Sequence, residues 1–488
     1  MIKPIKIFLL LIYIGIFLGT LAAVGQYLET LTSIKIPKIT QLFENRKEDK
    51  YADISKIQNE FEKNKSTNHT NETSKNKKNE DNSDNSFVYV PDSLKINPKL
   101  RIQFPEGKED LLENFFEALD NLKKNKDTMV RVLHFGDSQL EGDRITAYMR
   151  EKFQTSFGGS GVGLLTIVDK LATKGTILQS TKSNWLQSVM YGYKYNPNVS
   201  NFYGVLGDYY KMYVPNPPAW TKSSVTYTKS PLGTPYQQKV EKIRVYYRNP
   251  NAPFEISLNI GEKEITKQKI EKSSNLGVFY HELSEPFEKI NVSFGTSSQS
   301  PEIYGVALDS KVGIMFDNIP LRGSSGVEFS RIPKKHWQQQ LKTMNVKCMI
   351  MQFGVNIVPN PLPDYQFYED EFYTQLKYLK SIAPEVSILV IGVSDMSRNI
   401  NGEYQSYPNI EKIRNAQKNA AFKAGCAFWD LYEAMGGKNS MPAWVFAKPE
   451  ALATKDFTHF TAKGAGVVSE MLYKALMTEY DAYHKFFN

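Results

Sequence analysis

Four short stretches of this 488-residue chain carry side chains that do chemistry: Gly136-Asp137-Ser138-Gln139, Arg322-Gly323-Ser324-Ser325-Gly326, Gly354-Val355-Asn356 and Asp456-Phe457-Thr458-His459. A serine hydroxyl attacks a carbonyl only when a base within hydrogen-bond reach takes its proton. His459 is the candidate base for Ser138. Asp456, three residues before it, can hold the imidazole in one tautomer and stabilise the imidazolium. The tetrahedral oxyanion then needs donors. The N–H groups of Ser138 and Gly323 and the side-chain amide of Asn356 are candidates, with Gly326 as the other choice for the glycine. Taken singly, each stretch also reads as a plain turn: Ser138 can cap a helix and Asn356 can bond its own loop.

These stretches need a frame that brings them together. An apolar run over 130–135 reads as a buried strand, breaks at Gly136 and gives way to helical spacing over 144–153. Ser138 thereby stands on a strand-to-helix turn, exposed and beside free N–H groups. Beyond residue 312 the alternation returns. Strands are predicted at 312–316, 347–353, 386–393 and 426–430, and helices at 333–344, 368–382, 411–424 and 464–477. An amphipathic helix over 110–123 precedes the first strand. Alternating elements imply a parallel sheet covered on both faces, and the carboxyl ends of its strands share one crevice.

Between the two halves the character changes. Over 184–308 helical periodicity disappears, and aromatic, Thr, Ser and Pro residues dominate. Strand patterns at 242–248, 254–260, 277–280, 290–294 and 303–308 indicate an inserted all-β sandwich of jelly-roll type. The insert is bounded at 176–311, between α/β parts at 96–175 and 312–488. Its pattern reads as self-contained, so it is expected to be dispensable for chemistry on small esters. Trp185 and Trp220 are candidates for stacking on sugars or for core packing. The glycine-rich run 157–163 lacks phosphate-loop spacing and reads as a turn.

In order and in position, the four stretches resemble the four blocks of SGNH (GDSL-type) hydrolases. The resemblance covers about 130–476, minus the insert. It implies a flavodoxin-like three-layer α/β sandwich, metal-free and cofactor-free ester chemistry, and Ser138, Asp456 and His459 as the catalytic residues. Two positions depart from the common pattern: Gln139 stands where many members have Leu, and Arg322 precedes Gly323 where Asn is usual. A β-sandwich inserted after the first block is similar to bacterial peptidoglycan O-acetylesterases. Related exported members are O-acetyltransferases that work with a membrane-bound acyl carrier of the MBOAT type. The resemblance therefore implies an enzyme acting on O-acetyl groups of peptidoglycan or another cell-envelope polysaccharide, as an esterase or a transferase. A non-catalytic glycan-binding protein is the alternative from another class, and the intact triad argues against it.

Composition narrows the field further. Residues 1–28 begin with Lys3 and Lys6 and continue with nineteen uncharged residues, 7–25. As a helix that run would span ~28 Å, close to the ~30 Å of a bilayer's hydrocarbon. It is an uncleaved membrane anchor or a signal peptide, and its length favours the anchor. Either way the remainder is expected to be exported, on the periplasmic side. Within the linker 29–95, residues 63–86 hold almost nothing apolar and are expected to form a disordered tether. The net charge of +8 is modest for this length, and no nucleic-acid signature is present. Two cysteines and six histidines argue against a disulfide framework and a multi-histidine metal site. His134 reads as a core histidine and Asp137 as a brace of the Ser138 turn. Asp395 either lines the cleft or holds a turn.

Overall fold

Five apolar runs pair into one parallel sheet: β1 (Met129–Gly136), β2 (Gly313–Pro320), β3 (Val346–Gln352), β4 (Ser387–Ile391) and β5 (Ala427–Trp429). Their order is β2-β1-β3-β4-β5, the flavodoxin-like arrangement, with its switch point between β1 and β3. Every residue of β3, β4 and β5 is buried except Lys347, because helices cover both faces. On one side lie α1 (Glu113–Lys124), α2 (Thr146–Phe157) and the long C-terminal α6 (Ala462–Phe487). On the other lie α3 (Lys334–Thr343), α4 (Gln366–Ile382) and α5 (Ile410–Lys423). The sequence specifies these elements to within about four residues at each end, except that the last helix, expected to end at 477, runs on to Phe487.

This is a computed structural model, and it describes Tyr13 and residues 51–63, 97–125, 127–169, 175–182 and 185–487. The chain divides into Met1–Asp53 and Ile54–Asn488, and the architecture above belongs to the second unit. The expected anchor or signal segment (1–28) and the expected tether (63–86) lie outside the described residues, apart from Tyr13 and Lys63. Among the described residues no helix is long and apolar enough to cross a membrane.

The insert is a sandwich of two antiparallel sheets. One runs Ser273–Glu282, Lys242–Asn249, Glu302–Asp309, Asp208–Met212 and Trp185–Val189. The other runs Ile177–Lys182, Thr221–Lys229, Lys289–Thr296, Phe254–Ile260 and Lys263–Ile270. Alternate residues such as Val225, Tyr227, Ile256, Leu258, Val292 and Phe294 point inward and form a core with Ile243, Val245 and Val306 of the facing sheet. Trp185 belongs to this core, edge-on to Phe294. Trp220 lies over Gly295 and stays 57% exposed.

Two expectations are corrected here. The glycine-rich run is no mere turn: Gly161–Leu165 is a buried strand, paired antiparallel with Glu302–Asp309. Its glycines permit close approach, since a Cβ on Gly163 would sit 2.3 Å from Asp317 Oδ1. The insert is also not self-contained. Met190, Tyr203, Leu206, Tyr209, Tyr246 and Tyr304 share one buried cluster with Leu133, Phe135, Trp337 and Met351 of the α/β body. Arg131 on β1 reinforces the join. Its guanidinium takes Asp317 through Nη1 (2.7 and 2.9 Å) and Asp309 of the insert through Nη2. Arg244 meets the same Asp309 at 2.5 Å. Burial and these two carboxylates set the Arg131 balance, and the carboxylates win, so it stays charged.

Candidate active site

β1 ends at Gly136, and the chain turns at once into a short 3-10 helix, Ser138–Asp143. Gly136 permits the turn, because a Cβ there would sit 2.7 Å from Gln352 O. Asp137 caps the helix as expected. Its Oδ1 accepts the Gln139 N–H (3.0 Å) and its Oδ2 the Val355 N–H (3.4 Å), which ties the β1 turn to the end of β3. Asp137 is buried, and burial pushes its carboxyl up to about 7, against those N–H groups and the nearby His459. Ser138 opens the helix, so its own N–H has no partner within it.

The distant loop reaches this turn. Ser138 Oγ lies 2.8 Å from His459 Nε2, and His459 Nδ1 lies 2.7 Å from Asp456 Oδ2. Burial alone would raise the Asp456 carboxyl. It is held down at about 2 by the Thr454 hydroxyl, the imidazole and the N–H groups of His459 and Thr458. An ionised carboxylate only accepts, so Nδ1 donates to it and Nε2 is left to accept from Ser138.

The loop depends on an unusual backbone. Phe457 adopts a left-handed φ of 56°, which folds the Asp456 carboxylate back onto the N–H groups of Thr458 and His459, both at 3.0 Å. Such a conformation in a bulky residue persists only where its surroundings hold it. Here the Phe457 ring stacks on Tyr404, centroids 3.5 Å apart, and its carbonyl accepts the Ser397 N–H at 3.1 Å. Tyr404 and Ser397 sit on a hairpin, Ser397–Ile400 with Glu403–Ser406, that sequence reasoning missed. The signal was present in Asn401-Gly402, a two-residue turn with both φ angles positive.

The oxyanion candidates separate. Leu321 to Ser324 form a turn closed by Ser324 N–H to Leu321 O at 2.9 Å, with Gly323 at φ 83° as the third residue. Gly323 is exposed, and its N–H makes no hydrogen bond to a described residue. Gly326 differs on both counts: it is buried, and its N–H is already donated to Ser324 Oγ at 2.9 Å. The Asn356 amide donates one N–H to Ser324 O at 2.8 Å, which pins the Gly323 turn to the end of β3. Its second N–H has no described partner.

Gln139 fills a role its sequence position did not reveal. It is buried, and its Nε2 donates to Thr458 O (2.7 Å) and to Ser394 Oγ (3.3 Å). Asp395 is buried too, accepting the Met441 N–H at 2.7 Å, so it braces the start of the distant helix Ser440–Val445 instead of lining the cleft. His134 is a core histidine between Gln352 Oε1 and Thr146 Oγ1, both at 3.0 Å, and burial pulls it down to about 4. Among the described residues no group of three His, Cys, Asp or Glu side chains is placed to hold a metal ion.

No family model matches the chain, and no curated protein matches it in sequence. Solved structures do. A peptidoglycan O-acetylesterase superposes with a TM-score of 0.61 at 19% identity, over 76% of this chain and 96% of that one. An acetyl xylan esterase matches with a TM-score of 0.26 at 14% identity, over 33% of this chain and 81% of that one. A family two carbohydrate esterase from Cellvibrio japonicus matches with a TM-score of 0.24 at 8% identity, over 62% of this chain and 99% of that one. The first of these likenesses establishes the fold, an α/β sandwich on a parallel sheet carrying a β-sandwich insert.

Proposed function

We propose that the protein is a serine esterase that removes O-acetyl groups from a cell-envelope polysaccharide, peptidoglycan or an exopolysaccharide. One observation carries the reading: the unbroken chain Ser138 Oγ, His459 Nε2, His459 Nδ1, Asp456 Oδ2, with links of 2.8 and 2.7 Å. A peptidoglycan O-acetylesterase with the same fold supports the substrate class. The apolar run 7–25 supports export.

The chemistry follows from the tautomer. His459 Nε2 takes the Ser138 proton as Oγ bonds to the ester carbonyl carbon. The carbonyl oxygen becomes an oxyanion, met by the N–H groups of Ser138 and Gly323 and by the free N–H of Asn356. Asp456 balances the imidazolium. When the tetrahedral adduct collapses, the C–O bond to the sugar breaks, and the sugar oxygen leaves with the imidazolium proton. Water then attacks acetyl-Ser138, giving its proton to His459. The second collapse releases acetate and returns the proton to Oγ.

The test is acetate release from O-acetylated peptidoglycan by the purified chain and by Ser138→Ala. Release by the first and none by the second is expected. Equal release by both would overturn the reading.

A further inference from the structure

The insert reaches the rim of this site. Its short 3-10 helix Gly192–Lys194 sits against the Gly323 turn, and a Cβ on Gly192 would lie 3.8 Å from Arg322 O. The two turns share packing beneath. Gly207 brings Leu321, Met190 and Tyr191 together, such that a Cβ there would lie 3.0–3.4 Å from all three. Arg331 locks the arrangement by lying over the Tyr195 ring at 4.0 Å while it donates to Met190 O.

On this rigid base three side chains point outward. Tyr193 is 94% exposed, although its neighbours Tyr191 and Tyr195 are half-buried. Lys194 Nζ stands 5.6 Å from the Tyr193 ring centre. Arg322 is 61% exposed, directly before Gly323. Its Nε meets Glu141 at 3.3 Å, and its two terminal nitrogens make no hydrogen bond to a described residue. Of the acids of the neighbourhood, Glu141 faces the Arg322 Nε and is 17% exposed, Glu328 is buried on the Ser324 hydroxyl and the Val327 N–H, and Asp208 is buried behind Tyr191. The outward face therefore joins a flat aromatic ring to two cations. A tyrosine ring offers an apolar face with a polar tip, which suits a sugar ring. A guanidinium with free terminal nitrogens suits a carboxylate, which it binds with two parallel hydrogen bonds.

We propose that Tyr193, Lys194 and Arg322 form the subsite that receives the glycan beside Ser138, and that the glycan it selects carries carboxylates. The proposal rests on the esterase reading above and adds to it the charge of the substrate and the contribution of the insert.

The experiment compares three acetyl esters on the full chain: 4-nitrophenyl acetate, acetylated polygalacturonate and acetylated xylan. The wild type is expected to favour the carboxylated glycan over the neutral one about tenfold in kcat/KM at low salt, a preference that salt erodes. Lys194→Gln and Arg322→Gln should each bring that ratio toward one, mainly through KM, whereas Tyr193→Ala should raise KM on both glycans alike. Equal rates on the two glycans would overturn the proposal. So would a fall in kcat on 4-nitrophenyl acetate as large as on the acidic glycan, because Arg322 would then act through the Gly323 turn. If the wild type releases no acetate from any of the three, the esterase reading itself fails, and the proposal with it.

Discussion

The Gln139 amide donates to Thr458 O at 2.7 Å, so the residue after the nucleophile holds the residue before the base. Ser138 and His459 are 321 positions apart, and a hydrogen bond between two loops needs both loops registered. Gln139→Leu would leave Thr458 O without that partner. We expect kcat on a small acetyl ester to fall roughly 10- to 100-fold with KM little changed, since a displacement of about 1 Å between reacting groups costs that much. Steady-state kinetics check it. Full kcat in Gln139→Leu would show that the Phe457 stack alone registers the loops.

Ser138→Ala and His459→Ala should each reduce ester hydrolysis on the order of 10⁴-fold, because nucleophile and base act as a unit. Neither side chain is packed in the core, so both variants should melt close to the wild type. A purified His459→Ala protein with near-normal turnover would refute the triad.

The parallel sheet was legible because its strands are mainly apolar runs bounded by Gly, Asp and Asn, as burial on both faces favours, although β1 and β2 also bury Arg131, His134, Asp317 and Asn318. The triad was legible because Ser138 falls just after such a run, and because Asp456 and His459 stand three residues apart in the loop before the last helix. The hairpin over Phe457 was not. Its strands are only four residues long and largely exposed, so alternation carries no signal, and only Asn401-Gly402 marks it. The reach of the insert into the core was hidden for another reason. Tyr246 and Tyr304 sit in runs of buried strand residues and Tyr203 in the segment before Asp208–Met212, and nothing local says which body they face. Asn356 was read as oxyanion donor or structural brace, and the geometry gives one of its N–H groups to the brace.

Asn356→Ala removes both the brace and the donor. Loss of a transition-state donor should lower kcat about 10²- to 10³-fold. Loss of the bond to Ser324 O should lower stability by about 1 kcal/mol, because the site is solvent-exposed. Kinetics and urea unfolding on one variant separate the two. Unchanged kcat with reduced stability would leave Ser138 and Gly323 as the donors.

Removing residues 176–311 should yield no folded esterase, contrary to what strand patterning suggests. The deletion strips Met190, Tyr203, Tyr246 and Tyr304 from the shared core and leaves Arg131 without Asp309. The point variant Asp309→Ala tests the same joint more gently. Truncating one side of a buried ion pair costs about 3–5 kcal/mol, even with Asp317 still present to share the charge. Urea unfolding of Asp309→Ala reads it, and stability within 1 kcal/mol of wild type by the usual noise of such measurements would show the joint to be unimportant.

Two buried groups beside the nucleophile oppose each other in pH dependence. Burial holds the His134 imidazole down at about 4, against its bond to Gln352. An unfolded histidine titrates near 6.5, so between about pH 4 and 6.5 the unfolded chain binds the extra proton and this term makes stability rise with pH. Burial pushes the Asp137 carboxyl up to about 7, against the Gln139 and Val355 N–H groups and His459. An unfolded aspartate titrates near 3.9, so between about pH 4 and 7 the folded chain holds the extra proton and this term makes stability fall with pH. His336, held near 4 by its own burial, adds the same rising term to every variant. Relative to wild type, Asp137→Asn should therefore make the slope of urea midpoint against pH from 4 to 7 more positive, and His134→Gln should make it more negative. Each change in slope integrates to a few kcal/mol at most, on the order of 1.4 for every pH unit of displacement. Parallel pH profiles for the wild type and both variants would show that neither group titrates between the folded and unfolded states as its burial requires.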